Sequence, residues 1–435
     1  MKLRYLPLTA FLLCSLNLHI VMAEPIAAQA GAKPASASGL LAAQAKLEQG
    51  LAALAKRDHE KARALFQAAT KLAPYWPEPW LQLAESARVA NQPELVNKWL
   101  TEALRVAPDD PATLSAWGSL HYARGEYQKA ESFKQAALKA DPRATNVLVD
   151  LGDLYFNVHG KPDVAADYFR RALVINPKLG GAHNALGTML LLTGKAGQAI
   201  DSFTESARLA PTNPLPVLGL ARAQAQTGNT SAALASYDQA LKLSPGLIDA
   251  YLGKGDLLLN QGKPDAALRS FADAVKANPR SSLAYLKLGM AQQMQNRSDE
   301  AMAAYKEAVR LSPQMAVGFN NLAWLAAERS DVADKGLAWA KQAVALNGEE
   351  PRFKGTLAWV HFKRGESAEA IKLLEPLVRG NAKALPETHY LLGQVYAGSG
   401  DKAKAKAAIQ AALELDPRFS QAEQARASLR QLDRP

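Results

Sequence analysis

The sequence predicts an all-α solenoid of about eleven helix–turn–helix units, each about 34 residues long, closed by a C-terminal capping helix. Three observations carry that expectation. Prolines recur at Pro74, Pro108, Pro142, Pro177, Pro211, Pro245, Pro279 and Pro313, with gaps of 34, 34, 35, 34, 34, 34 and 34 residues. Small and apolar residues fall at helical steps on both sides of a short polar turn, which gathers them on one face of each helix. Glycine and proline punctuate those turns, glycine suiting a helix C-terminus and proline a first helical position.

Taken in order, residues 1–23 carry Lys2 and Arg4, an apolar run over residues 10–22, and small residues before Glu24. That is the pattern of a secretory signal. Cleavage would follow Ala23 or Ala30, with retention as an anchor the alternative. Asn17 and His19 interrupt the run, which falls short of the roughly 20 apolar residues of a spanning helix, so no stable span is expected after cleavage. The single cysteine, Cys14, follows Leu13 inside this segment, an unfavourable setting for lipidation. Beyond it the chain has neither disulfides nor thiolate metal sites. Residues 24–39, rich in alanine, glycine, proline and serine, read as a flexible linker.

Repeats fill residues 40–418. Residues 248–279 show the unit plainly: Tyr251, Lys254, Gly255 and Leu258 mark the first helix, and Ala267, Phe271 and Ala274 the second. Asn278-Pro279 closes the unit because proline cannot continue a helix. The small–large pairing recurs as Ala62/Phe66, Ala165/Phe169, Ala233/Tyr237 and Ala301/Tyr305. Small residues let helices approach, and large ones fill the gaps between them. The fourth unit carries one extra residue, placed in the turn 157–162. The ladder passes through Asn347 and recovers at Pro417. The tenth unit has Pro376 within its second helix, where it should kink or shorten it. Over residues 419–435, Ala422, Ala425, Leu429 and Leu432 form one apolar face, as expected of a capping helix.

A fixed 34-residue period of paired helices resembles the tetratricopeptide repeat family over residues 40–418. The resemblance implies a right-handed superhelix whose concave face, lined mainly by first helices, holds partner proteins. In the family's register that face carries Glu78, Leu81, Glu85, Ser115, Tyr122, Asp150 and Asp153, then Asn184, Thr188, Arg222, Leu252 and Asp256. Toward the C-terminus it carries Leu286, Met290, Asn320, Trp324, Trp359, Phe362 and Tyr390. The lysine–asparagine clamp of chaperone-binding members is missing, and so is the asparagine ladder of glycosyltransferase-linked members: Lys287 and Thr356 stand where rungs beside Asn321 would be.

The remaining chemistry argues for binding. Hydrophobic content of 48% and charged content of 21% suit a folded soluble chain. The formal charge is +10, or 10 − 2 = +8 without Lys2 and Arg4. Its lysines and arginines are spread along every repeat without an aromatic-interleaved stripe, so no nucleic acid partner is expected. His183 and His389 stand at the station of Trp80 and Tyr251; His121 and His361 stand at that of Leu190 and Leu258; His59 and His159 lie in turns. These are packing and turn positions. His59-Glu60 lacks the second histidine of a zinc pair, and no phosphate loop or nucleophile elbow occurs. No enzyme, cofactor or metal site is expected.

Met290, Trp324, Trp359, Phe362 and Tyr390 suggest a C-terminal aromatic groove for a partner peptide or a sugar chain, since large rings concentrate at interfaces. The other reading is that these rings pack between adjacent first helices. Residues 319–326, FNNLAWLA, and 356–360, TLAWV, are similar to units common in bacterial envelope members of the family. Several of those accompany exopolysaccharide export or surface-protein sorting. The sequence therefore leads to the expectation of a secreted, periplasmic or outer-envelope scaffold whose partners are proteins of an envelope complex, with polysaccharide binding as the alternative.

Overall fold

The structure is a computed structural model that describes residues 37–329, 333–379 and 385–433. The expected signal, and the linker up to residue 36, lie outside the described residues. Among the described residues there are 23 helices and no strand. They fall into two compact units divided between Thr227 and Gly228.

The first unit begins with α1 (Ala37–Ala55), α2 (His59–Leu72), α3 (Pro77–Val89) and α4 (Pro93–Val106). It continues through α5 (Pro111–Ala123), α6 (Tyr127–Ala140), α7 (Thr145–Asn157) and α8 (Pro162–Ile175). It ends with α9 (Gly180–Leu192), α10 (Ala196–Leu209) and α11 (Pro214–Gln226). The second unit holds α12 (Thr230–Leu243), α13 (Ile248–Asn260), α14 (Pro264–Ala277), α15 (Ser282–Met294), α16 (Ser298–Leu311) and α17 (Ala316–Ala327). After these come α18 (Ala333–Leu346), α19 (Pro351–Lys363), α20 (Ser367–Val378), α21 (Pro386–Gly398), α22 (Lys402–Leu415) and α23 (Ala422–Leu432). In chain order these are eleven helix pairs followed by one more helix, as the proline ladder predicts.

Ten turns inside the pairs each carry one left-handed residue among the described residues. Gly125, Gly160, Gly194, Gly228, Gly262, Gly365 and Gly400 supply it, with φ between 62° and 89°. Arg57, Asn91 and Asn296 fill the same station in other pairs, at 61°, 54° and 58°. Glycine adopts this conformation without a steric penalty, and other L-residues do not.

The core is a run of small–large contacts. Ala62, Ala165, Ala233, Ala267 and Ala301 are fully buried, and Phe66, Phe169, Tyr237, Phe271 and Tyr305 beside them are at most 3% exposed. First helices meet those rings with glycine. A β-carbon on Gly152, Gly187, Gly255 or Gly289 would stand 2.8, 2.9, 2.4 or 2.6 Å from the ring of Phe169, Phe203, Phe271 or Tyr305.

Three local departures follow from sequence. The first helix starts at Ala37, so the last three residues of the expected linker are helical. The turn from α7 to α8 spans residues 158–161, one more than residues 261–263 between α13 and α14, which absorbs the extra residue of the fourth unit. Helix α20 has 12 residues where α14 has 14, because Pro376 takes away an amide donor near its end. At the C-terminus, Phe419, Ala422 and Ala425 are buried with Tyr390, Ile409 and Ala412, and Leu429 and Leu432 pack on that cluster. This closes the last apolar face against water.

Candidate functional site

The aromatic residues of the second unit sit on successive first helices. Helix α17 carries Asn320 and Trp324 one turn apart, and α19 carries Trp359 and Phe362. One repeat of separation sets the two indoles side by side: their ring centres lie 6.0 Å apart with planes at 21°. Phe362 follows at 5.4 Å from Trp359, tilted by 38°. All three rings are half-buried. Glu328 fixes the outer edge, accepting from Trp359 Nε1 at 3.1 Å and from Lys363 Nζ at 2.8 Å. That ammonium also lies 5.0 Å from the Trp359 ring centre, within cation–π range.

Beyond this stack opens a cleft of about 350 Å³. Trp359 and Phe362 line one side, Gln394 and Ala397 of α21 also line it, and Ser428, Gln431 and Leu432 bring in α23. On α17, Asn320 donates its amide to Asn321 at 3.4 Å, while its own Oδ1 is buried with no partner among the described residues.

Two residues expected on the concave face, Leu286 and the groove residue Tyr390, are buried instead. Leu286 is 7% exposed and packs with Met302, Tyr305 and Leu322 in the core. Tyr390 is 4% exposed because the chain leading into α23 covers it: Phe419 meets its ring edge-on at 5.9 Å. Its hydroxyl lies 3.4 Å from Ser428 Oγ and accepts from Gln394 at 3.1 Å. Neither residue offers surface to a partner. Met290, at 37% exposure, does.

The first unit carries a different surface. Half-buried Glu78 is held by Gln82 at 2.8 Å, and burial raises its carboxyl above the usual range. Glu85 pairs with Arg88 at 2.6 Å on the exposed side of α3. Asp150 and Asp153 stand one turn apart on α7. Asp153 keeps contact with solvent, yet the protein mass around it, reinforced by Asp150's charge, pushes its carboxyl up to about 6. Tyr122 faces both carboxylates from α5, and its hydroxyl is raised chiefly by burial. Ser115 is 6% exposed and accepts a hydrogen bond from Lys134 at 3.0 Å. In the second unit Leu252 is buried in the core, and Asp256 accepts from Lys287 at 2.8 Å.

The histidines are structural. His183 Nε2 donates to the Pro177 carbonyl at 2.9 Å, as Trp80 Nε1 does to the Pro74 carbonyl at 3.3 Å. His121 stacks on Trp117 and on Phe133, which also stack on each other, and bonds Glu126 at 3.2 Å; His361 repeats that bond to Glu366. His159 binds Glu131 at 3.0 Å, and burial lowers the His389 imidazole. His59 opens α2. No cluster of metal-binding side chains occurs among the described residues, and none of their helices is long and apolar enough to cross a membrane.

Sequence reasoning passed over Lys134, Glu328 and Lys363. Lys134 had a readable signal: it stands between Ala130 and Ala137 at the station where Phe169 stands between Ala165 and Ala172. Glu328 and Lys363 had none, because their bond joins residues 35 apart at the ends of two helices.

Comparison with known proteins adds the family. Among curated proteins, similarity is found to the Cell division cycle protein 16 homolog of Homo sapiens, 29% identical over 34% of this chain and 25% of that protein. The Anaphase-promoting complex subunit CDC16 of Saccharomyces cerevisiae is 26% identical over 36% of this chain and 19% of its own length. The matches thus span about a quarter or less of these relatives. Among solved structures, the APC/C hetero-tetramer Cut9-Hcn1 has 13% identity and a TM-score of 0.47, covering 90% of this chain and 96% of that one. MamA has 23% identity and a TM-score of 0.36 over 38% of this chain and 95% of its own. Tetratricopeptide repeat profiles match residues 25–77, 115–180, 158–214 and 252–316, with further matches at 218–246 and 386–419. With half its length matched in this way and helix pairs on a 34-residue period, the chain belongs to the tetratricopeptide repeat family, whose members are protein-binding scaffolds.

Proposed function

We propose that the protein is a non-enzymatic scaffold of the bacterial cell envelope that holds a segment of a partner protein on its first-helix surface. The observation that carries this is the Trp324–Trp359 stack, half-buried on adjacent first helices. Rigid rings give large contact area at modest entropic cost. The machinery served is exopolysaccharide export, secretion or appendage assembly; the signal-like residues 1–23 support delivery to the periplasm or outer envelope. The naming of curated relatives as subunits of a multi-subunit complex is in keeping with a role inside an assembly.

Crosslinked capture from native envelope fractions, followed by titration of the recovered partner, tests this reading. W324A/W359A should weaken that partner at least roughly 10-fold while helicity is unchanged. Unaltered affinity, or capture of cytosolic proteins alone, sinks it. A second reading, polysaccharide binding, is favoured by the amides of Gln394 and Gln431 beside Trp359 and Phe362 in the cleft. Calorimetry with envelope polysaccharide fragments separates the two: a protein scaffold gives no heat.

A further inference from the structure

Lys134 breaks a rule that the other second helices keep. Its station holds Phe66 in α2, Phe169 in α8, Phe203 in α10, Tyr237 in α12, Phe271 in α14 and Tyr305 in α16, all buried. In α6 the residue is lysine, and it is as buried as those rings, at 3% exposure. Its stem lies against Gly118 of α5, where a β-carbon would stand 2.8 Å from Lys134 Cγ. Its ammonium donates to Ser115 Oγ at 3.0 Å, to Ser119 Oγ at 2.7 Å and to the Asp150 carboxylate. All three protons are therefore used, two on α5 and one on α7. A single charged group ties three helices together where the repeats on either side use apolar Leu100 and Phe169.

The charged and titratable groups around that ammonium are few. Asp150 bonds it from α7, Asp153 lies beside Asp150 one turn along, and Tyr122 faces both carboxylates from α5. Glu131, one turn earlier on α6, is committed to Tyr155 at 2.6 Å and His159 at 3.0 Å. Asp150 is thus the one carboxylate bonded to Lys134. The pair is buried on the lysine side only, the Asp150 side chain being 42% exposed, so removing the carboxylate leaves the ammonium buried and uncompensated.

We propose that Lys134 and Asp150 form a charge-dependent lock on the joint between α5, α6 and α7, which opens when the carboxylate loses its charge. The apolar joints elsewhere in the array have no such dependence. Asp153, one turn along α7, carries a carboxyl raised to about 6 and is not bonded to the lysine.

Hydrogen exchange read by mass spectrometry on the full chain tests this. At pH 7.5, D150N should speed exchange in α5–α7 on the order of 100-fold while α13–α16 stay protected. K134M should keep protection, and K134M/D150N should behave like K134M. Should methionine fill the slot poorly, K134F, which copies Phe169 of the next repeat, takes its place in every comparison. A D150N protein as protected as wild type overturns the lock, as does a double variant as open as D150N. If K134M and K134F both open the joint with Asp150 intact, the lysine serves shape rather than charge, and the proposal also fails.

Discussion

Gly255 and Phe271 approach so closely that a β-carbon on the glycine would lie 2.4 Å from the ring, a separation real side chains do not occupy. The second repeat solves the same joint differently, with Ala84 against Leu100, both at most 4% exposed. Volume is shared between the two stations, so a change at one sets what the other tolerates. Gly255→Ala alone should cost about 1–3 kcal/mol of local stability, and adding Phe271→Leu should recover most of it. Chemical denaturation of the wild type, both single variants and the double checks this; a double loss equal to the sum of the two single losses would show that the two stations are independent.

The turn between α1 and α2 is left-handed at Arg57, with φ 61° on an exposed side chain. Seven other turns place glycine at this station. Arg57→Gly should therefore stabilise the first repeat by about 0.5–1 kcal/mol, the left-handed penalty exceeding glycine's entropy in the unfolded chain. Slower exchange of α1 and α2 amides is the expected readout, and faster exchange contradicts it.

These two joints also show how far the sequence reaches. A 34-residue ladder of prolines and a glycine per turn are local signals, so they locate helix ends and turns to within a few residues. The Ala84/Leu100 and Gly255/Phe271 exchange is legible for the same reason, as both members lie in one repeat. Tyr390 is not legible. Register places it on the expected face of α21, but its burial is decided by Phe419 and α23, which arrive later and lie across it. Leu286 fails similarly, since the face it occupies is closed by Met302 of α16 and Leu322 of α17. Periodicity gives a residue's direction on its own helix. What covers that direction is set by neighbours.

Asp153 makes a pH prediction with a definite sign. Its folded carboxyl is raised from 3.8 to about 6, first by burial and then by Asp150. The folded protein therefore holds a proton more tightly than the unfolded chain. Its favourable contribution is complete below the unfolded value near 3.8 and is lost as pH rises through about 6. Asp153→Asn should leave stability unchanged near pH 3.5 and raise it at pH 7.5. Because the side chain keeps solvent contact, screening reduces the gain to about 1 kcal/mol. A stabilisation of equal size at both pH values would assign the effect to something other than this proton.

Trp324 and Trp359 can act as a binding surface or as filler between α17 and α19, and the two roles differ in energy. A tryptophan that fills a core costs about 3–5 kcal/mol when cut to alanine, because a cavity replaces it. These rings are half-buried, with one face on each other and one edge on Glu328. Half the apolar area, at about 25 cal/mol per Å², leaves about 1.5–2 kcal/mol per ring, and the stack adds about 0.5–1.5 kcal/mol shared between them. Each single alanine variant should accordingly lose about 2–3 kcal/mol, and the double should lose more than either, falling short of the sum by the stacking energy of about 0.5–1.5 kcal/mol. Hydrogen exchange in α17 and α19 reads these losses locally, which matters because a repeat array need not unfold in one step. Losses near 4 kcal/mol for each single variant would make the rings core filler and remove the principal support for a binding surface there.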